Sequence, residues 1–135
     1  MRTKPVTLVS VIAIPIAIAL ATAGCGGSAS DKAAEPAATV AHVKVFAFRP
    51  TPLKVPAGSK VTWINDDDIT HTVTSGTRTY EPGDTGKVVS TQKDGQFDMA
   101  LEGAGKKGSF TFAKAGTFHY FCDRHPGMEA DVVVQ

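Results

Sequence analysis

From Val40 to the C-terminus the apolar residues come in short runs, each closed by a proline- or glycine-bearing break. Pro50, Pro56-Ala57-Gly58, Pro82-Gly83-Asp84, Asp94-Gly95 and Ala115-Gly116 supply those breaks. A buried helix needs about ten or more residues with an apolar stripe at 3.6-residue spacing, and no segment sustains one. A strand needs far fewer, so the runs 42–48, 53–55, 59–64, 71–75, 87–90, 107–112, 117–122 and 130–134 predict strands. Alternation supports them: Val61 and Trp63 share a face, as do Phe110 and Phe112, and Phe118, Tyr120 and Cys122. Short strands at near-regular spacing predict an all-β sandwich or barrel. The pattern is weakest between Gly76 and Ala104, which leaves room for a helix.

The N-terminus follows different rules. Arg2 and Lys4 precede Val6 to Ala21, an almost wholly apolar stretch, and small residues follow at Thr22-Ala23-Gly24-Cys25. Basic, apolar, small is the order of a secretory signal. The apolar run is about 16 residues, short of the roughly 20 that a spanning helix needs, and Pro15 interrupts it. Residues 1–24 are therefore expected to be a signal peptide. Ala23-Gly24-Cys25 resembles a bacterial lipobox, which implies lipid attachment at Cys25. The segment after it, GGSASDKAAEPAAT, is small and polar without apolar periodicity and reads as a flexible tether. The expected organisation is signal 1–24, lipidated Cys25 and tether 25–39, and one folded domain 40–135. The expected location is the periplasm or another extracytoplasmic face, anchored to the membrane by lipid.

Charge and cysteine content narrow the function. Fourteen basic and 13 acidic residues leave a formal charge of +1, which argues against a nucleic-acid binder. Two cysteines, Cys25 and Cys122, permit at most one bridge and contain no C-x-x-C pair, so a disulfide scaffold, a thioredoxin motif and the usual structural zinc patterns are excluded.

One segment concentrates metal-binding chemistry. Cys122-Asp123-Arg124-His125-Pro126-Gly127-Met128 places a thiol, an imidazole and a thioether at C-x-x-H-x-x-M spacing, just where a predicted strand ends. A second imidazole, His71, follows the loop Asn65-Asp66-Asp67-Asp68-Ile69-Thr70. Taken singly, Cys122 reads as a buried thiol, Met128 as core filler and His71 as a strand-end histidine. Together they form a soft nitrogen and sulfur set that suits copper: a trigonal plane of two His and one Cys with a weak, long Met bond. Zinc rarely takes Met, and calcium or magnesium would want oxygen. His42 starts a strand and His119 has opposite parity to Cys122, so both are expected at the surface. Asp66-Asp67-Asp68 lacks EF-hand spacing and reads as a solvated loop.

On these residues the chain resembles the cupredoxins, the small type 1 blue copper proteins, over about residues 40–135. The matching motifs are Gly58-x-x-Val61-x-Trp63-x-Asn65, His71-Thr72-Val73, Gly108-x-Phe110-x-Phe112 and Gly116-Thr117-Phe118-x-Tyr120-x-Cys122-x-x-His125-x-x-Met128. Within the amicyanin and plastocyanin-like group the last spacing is similar to that of the amicyanins; plastocyanins and pseudoazurins have more residues between His and Met. The resemblance implies a Greek-key β-sandwich of about eight strands and one copper ion held by His71, Cys122, His125 and Met128. Thr72 and Asn65 would support those ligands from behind. It also implies a monomeric one-electron carrier whose partners are redox proteins, with electrons passing at the exposed edge of His125 beside Pro126 and Gly127. No paired nucleophile and base points to an enzyme. Two other readings of the same residues are a copper-delivery protein and a metal-free β-sandwich interaction module.

Overall fold

A computed structural model describes residues 39–135. The predicted leader, Cys25 and nearly all of the predicted tether lie outside the described residues. Nine strands follow in order: β1 Thr39–Lys44, β2 Ala47–Arg49, β3 Leu53–Val55, β4 Ser59–Asn65, β5 Thr70–Glu81, β6 Asp84–Glu102, β7 Lys107–Phe112, β8 Gly116–Phe121 and β9 Glu129–Val134. Thr39, expected in the tether, already belongs to β1.

The strands form two sheets, ordered β2-β1-β4-β7 and β3-β9-β8-β5-β6. The chain crosses between sheets after β2, β3, β4, β6 and β7, which makes a Greek-key sandwich. Crossing also explains two parallel pairs, β1 with β4 and β3 with β9, in sheets whose other pairs are antiparallel. Alternation sets the inner faces. Val61 and Trp63 on β4 are fully buried, as are Val132 on β9 and Tyr120 on β8. Trp63 stands at the centre, its ring 5.5 Å from Tyr120, 5.7 Å from Phe97 and 6.3 Å from Phe112. Burial pushes the Tyr120 phenol up to about 12, so it stays neutral in this core.

Two expectations need correction. The single strand predicted over 42–48 is a hairpin. Val45 and Phe46 both take positive φ, 50° and 56°, and β2 folds back on β1 with Lys44 opposite Ala47. Two consecutive positive φ values make the tight turn that matches strand twist, usually built from Asn or Gly. Neither residue is one of these, so the sequence carried no mark of it.

The second correction concerns 76–104, where no helix forms. Strands β5 and β6 run through it as one long hairpin, turned at Pro82-Gly83 with Gly83 at φ 84°. Proline followed by a positive-φ glycine is the type II turn signature. The alternation is invisible because β6 is exposed along most of its length; only Phe97 and Leu101 are buried. Asp94-Gly95, expected to separate strands, is instead an excursion within β6. The register steps from Thr74 opposite Asp98 to Gly76 opposite Lys93. Buried Ser75 holds the excursion: its Oγ accepts the Phe97 N–H at 2.9 Å and donates to the Asp94 carboxylate.

Candidate metal centre

The donors come from one end of the sandwich. His71 is the second residue of β5 and is fully buried; Cys122 is the first residue after β8 and is also fully buried. The loop from 122 to 128 closes on itself. Cys122 N–H donates to Met128 O at 2.9 Å, His125 N–H to Cys122 O at 3.4 Å and Met128 N–H to His125 O at 3.3 Å. These bonds return the chain over the strand end and bring His125 to the thiol. Met128 enters the core at 2% exposure, its backbone bonded to both Cys122 and His125.

The Cys122 Sγ lies 3.8 Å from His71 Nδ1 and 3.3 Å from His125 Nδ1. One donor atom from each of the three residues lies within 4.8 Å of the others. A first-row metal ion at about 2.0 Å from imidazole nitrogen and about 2.3 Å from thiolate sulfur, with bonds 120° apart, separates nitrogen from sulfur by about 3.7 Å. The observed distances bracket that value. The soft sulfur and two imidazoles fit copper.

Each donor is held from behind. With Nδ1 turned to sulfur, His71 carries its proton on Nε2 and donates it to Asp67 Oδ2 at 3.1 Å. Asp67 Oδ2 also accepts the Val45 N–H at 2.8 Å, which anchors the positive-φ turn. Asn65 holds the loop that carries Asp67. Its fully buried amide donates to Ile69 O at 2.8 Å and Leu101 O at 2.9 Å, and its Oδ1 accepts the Asp67 N–H at 3.0 Å. The Thr72 N–H donates to Cys122 Sγ at 3.3 Å, which fixes the direction of the sulfur. The Thr72 hydroxyl accepts the Asp123 N–H at 2.7 Å and so ties the ligand loop to β5.

His125 is half-buried, unlike His71. Partial desolvation, then repulsion from His71 and Arg124, holds its imidazole below the usual histidine range, which keeps it neutral for ligation. The Phe46 ring packs edge-on against His125 at 4.9 Å and reaches His71 at 6.0 Å. Phe46 is 56% exposed and Val45 is 70% exposed, so the β1–β2 turn forms an apolar rim beside the histidines.

His42 and His119 stand apart, exposed and paired with Asp66 and Asp131. Cys25 lies outside the described residues. Asp66 and Asp68 are exposed, as expected of a solvated loop, but half-buried Asp67 departs from that reading because it orients His71. Nothing local in the sequence separates Asp67 from its acidic neighbours. Phe46 was missed for the same reason as its turn.

Residues 34–135 match the copper binding proteins, plastocyanin/azurin family. Amicyanin from Paracoccus denitrificans is 30% identical over 135 residues, covering 88% of this chain and 91% of that protein. Plastocyanin from Scenedesmus fuscus is 29% identical over 90 residues, covering 65% of this chain and 86% of that protein. Among solved structures, the reduced Cu(I) form of an amicyanin mutant at pH 4 superposes with a TM-score of 0.53 at 30% identity, covering 73% of this chain and 83% of that one. A purple cupredoxin from Nitrosopumilus maritimus gives the same TM-score at 24% identity over 72% of this chain and 99% of that one, a likeness of fold. A sandwich of this topology, a Cys–His–His cluster at its end and a family match across the whole folded part lead to one conclusion: the chain belongs to the plastocyanin/azurin family of copper binding proteins.

Proposed function

We propose that this chain is a one-electron carrier holding a single copper ion between His71, Cys122 and His125, with Met128 as a weak fourth ligand. The observation that carries the reading is the placement of one thiol between two imidazole Nδ1 atoms at 3.3 and 3.8 Å. Copper supplies the Cu(II)/Cu(I) couple. The protein supplies the rest. Asp67 keeps the His71 proton on Nε2, the Thr72 N–H holds the Cys122 sulfur in place, and burial of His71 and Cys122 excludes water. His125 is the imidazole that reaches the surface, and Phe46 gives its edge an apolar surround where a redox protein can approach closely. Membership of the plastocyanin/azurin family supports a carrier over an enzyme.

We further propose that Cys25 carries lipid and that the segment after it tethers the domain to an extracytoplasmic membrane face. The sequence order of basic, apolar and small residues ending at Cys25 supports this.

The absorption spectrum of the copper-loaded protein tests the centre. Wild type should show an intense visible thiolate-to-copper band, and Cys122→Ser should lose it while keeping the fold. An equally coloured Cys122→Ser protein would overturn the assignment. Ready copper release without electron exchange would favour delivery of the ion, and failure to take up Cu(II) would favour an interaction module. Mass spectrometry of the membrane fraction tests the anchor: the mature protein should begin at Cys25 with an acyl mass. A soluble mature protein starting elsewhere would remove it.

A further inference from the structure

The long β5–β6 hairpin does more than extend a sheet. β5 pairs with β8 at Thr74 and Ser75, and from Gly76 onward, among the described residues, its partner strand is β6. That free section reaches the ligand loop and touches it at both ends. At the start of the loop, the Arg78 guanidinium donates from Nη1 to Cys122 O at 2.8 Å. From Nη2 it donates to Asp123 O at 3.0 Å and to Asp123 Oδ1 at 2.9 Å. Its Cζ lies 4.3 Å from the centre of the Phe121 ring, and the side chain is 5% exposed. Lys93, from the other strand, donates to Asp123 Oδ2 at 2.9 Å. At the far end, Tyr80 donates its hydroxyl proton to Glu129 Oε1 at 2.8 Å and accepts the Gly127 N–H at 3.2 Å. Gly127 has φ 76°, and a β-carbon there would lie 3.3 Å from the Thr85 carbonyl oxygen near the hairpin tip.

We propose that this hairpin is a clamp on the copper-ligand loop and that Arg78 is its positioning residue, setting both the loop geometry and the redox preference of the centre. The proposal rests on the copper reading above. Arg78 grips the carbonyl of the ligand Cys122 and that of the next residue with one planar fork, a geometry that a lysine cannot reproduce. Cys122 O is also the acceptor of the His125 N–H, so the same oxygen links the clamp to the turn carrying the second imidazole. The guanidinium is a positive charge, 5% exposed, bonded to the backbone oxygen of the ligand Cys122. It disfavours the more positive, oxidised state of the centre and thereby favours Cu(I).

Two measurements on Arg78→Met and Arg78→Lys test this. The first is amide hydrogen exchange on the metal-free protein. Arg78→Met should raise exchange at Cys122, His125 and Met128 at least tenfold, leaving β1 and β4 near wild type. Arg78→Lys should raise it similarly, because the fork is lost. The second is voltammetry of the copper-loaded proteins. Arg78→Met should lower the Cu(I)-to-Cu(II) affinity ratio by about tenfold, a fall of about 59 mV in potential. Arg78→Lys should recover most of that by restoring the charge. Unchanged loop exchange in Arg78→Met would overturn the clamp. So would exchange raised evenly across the domain with an unchanged potential, which is general destabilisation. A wild type that takes up no copper would remove the copper reading alone, since exchange in the metal-free protein decides the clamp by itself.

Discussion

The two ring nitrogens of His71 face different partners, Nδ1 toward sulfur and Nε2 toward Asp67. A carboxylate on the outer nitrogen fixes the tautomer and raises ligand basicity. Asp67→Ala should therefore weaken copper binding roughly 10–100-fold, the usual cost of losing such a partner. Competition titration against a chelator measures this, and unchanged affinity would mean that packing alone orients His71. Met128 poses a different question, because its burial suits both a ligand and core filler. Its thioether is soft and favours Cu(I), whereas the amide oxygen of Gln is harder and favours Cu(II). Met128→Gln should lower the potential by tens to a few hundred millivolts, on a scale of about 59 mV per tenfold change in relative affinity. A lower melting temperature with an unchanged potential would make Met128 core filler. Asn65 offers a stability test: its buried amide satisfies two carbonyls and one N–H. Asn65→Ala should cost roughly 3 kcal/mol, because the buried Leu101 carbonyl loses its partner and two part-buried loop bonds go with it. Chemical denaturation would show it, and a cost under about 1 kcal/mol would mean that water replaces the amide.

Among the elements, two hairpins depart from their usual chemistry, and each departure serves the site. The β1–β2 turn places two ordinary residues at positive φ, where a β-carbon is disfavoured by roughly 1–2 kcal/mol per residue. Phe46 remains useful there because it packs on His125. Val45 is largely exposed, so Val45→Asn should stabilise the domain by about 1 kcal/mol without loss of packing. A melt showing no gain would mean that Val45 contributes contacts offsetting its backbone strain. In the β5–β6 hairpin, Gly76 has φ 132° and its missing side chain would run into the Gln92 backbone. Gly108 is also crowded, but against the Met99 side chain, which can move. Gly76→Ala should therefore destabilise the hairpin severely, and Gly108→Ala much less. Comparison of their denaturation midpoints tests this ordering, and equal losses would refute it.

At the scale of the whole molecule, the centre is assembled by the closing of the sandwich. His71 lies second in β5, Cys122 follows β8 and Met128 precedes β9, neighbouring strands of one sheet. The proposed donors are held by hydrogen bonds to Asp67, Thr72 and the loop backbone, none of which runs through a metal ion. The metal-free protein should therefore be folded and cooperative, unlike a small zinc domain that unfolds without its ion. Copper binding only the native state at 100 times its dissociation constant adds about 2.7 kcal/mol. The melting temperature should then rise by about 10–20 °C for a domain of this size. Calorimetry of the two forms checks both points, and a metal-free protein without a cooperative transition would contradict the preformed centre.

Strand periodicity and the C-x-x-H-x-x-M spacing were readable because both are local: a pleat repeats every two residues, and three of the four proposed donors share one turn-sized segment. On that basis the all-β fold, the alternating core around Trp63 and the cluster at the end of a strand followed from the sequence by itself. The long hairpin did not, because a strand exposed on both faces carries no apolar alternation. Nor did the Val45–Phe46 turn, whose positive φ values are held by an Asp67 carboxylate 22 residues away. The Arg78 contact with Cys122 spans 44 residues and the Thr72 N–H to its sulfur spans 50. Such pairings are made by the packing of two sheets and a crossing hairpin. An aspartate or arginine that will orient a ligand has the same local sequence signature as one in water, so only the tertiary structure could single them out.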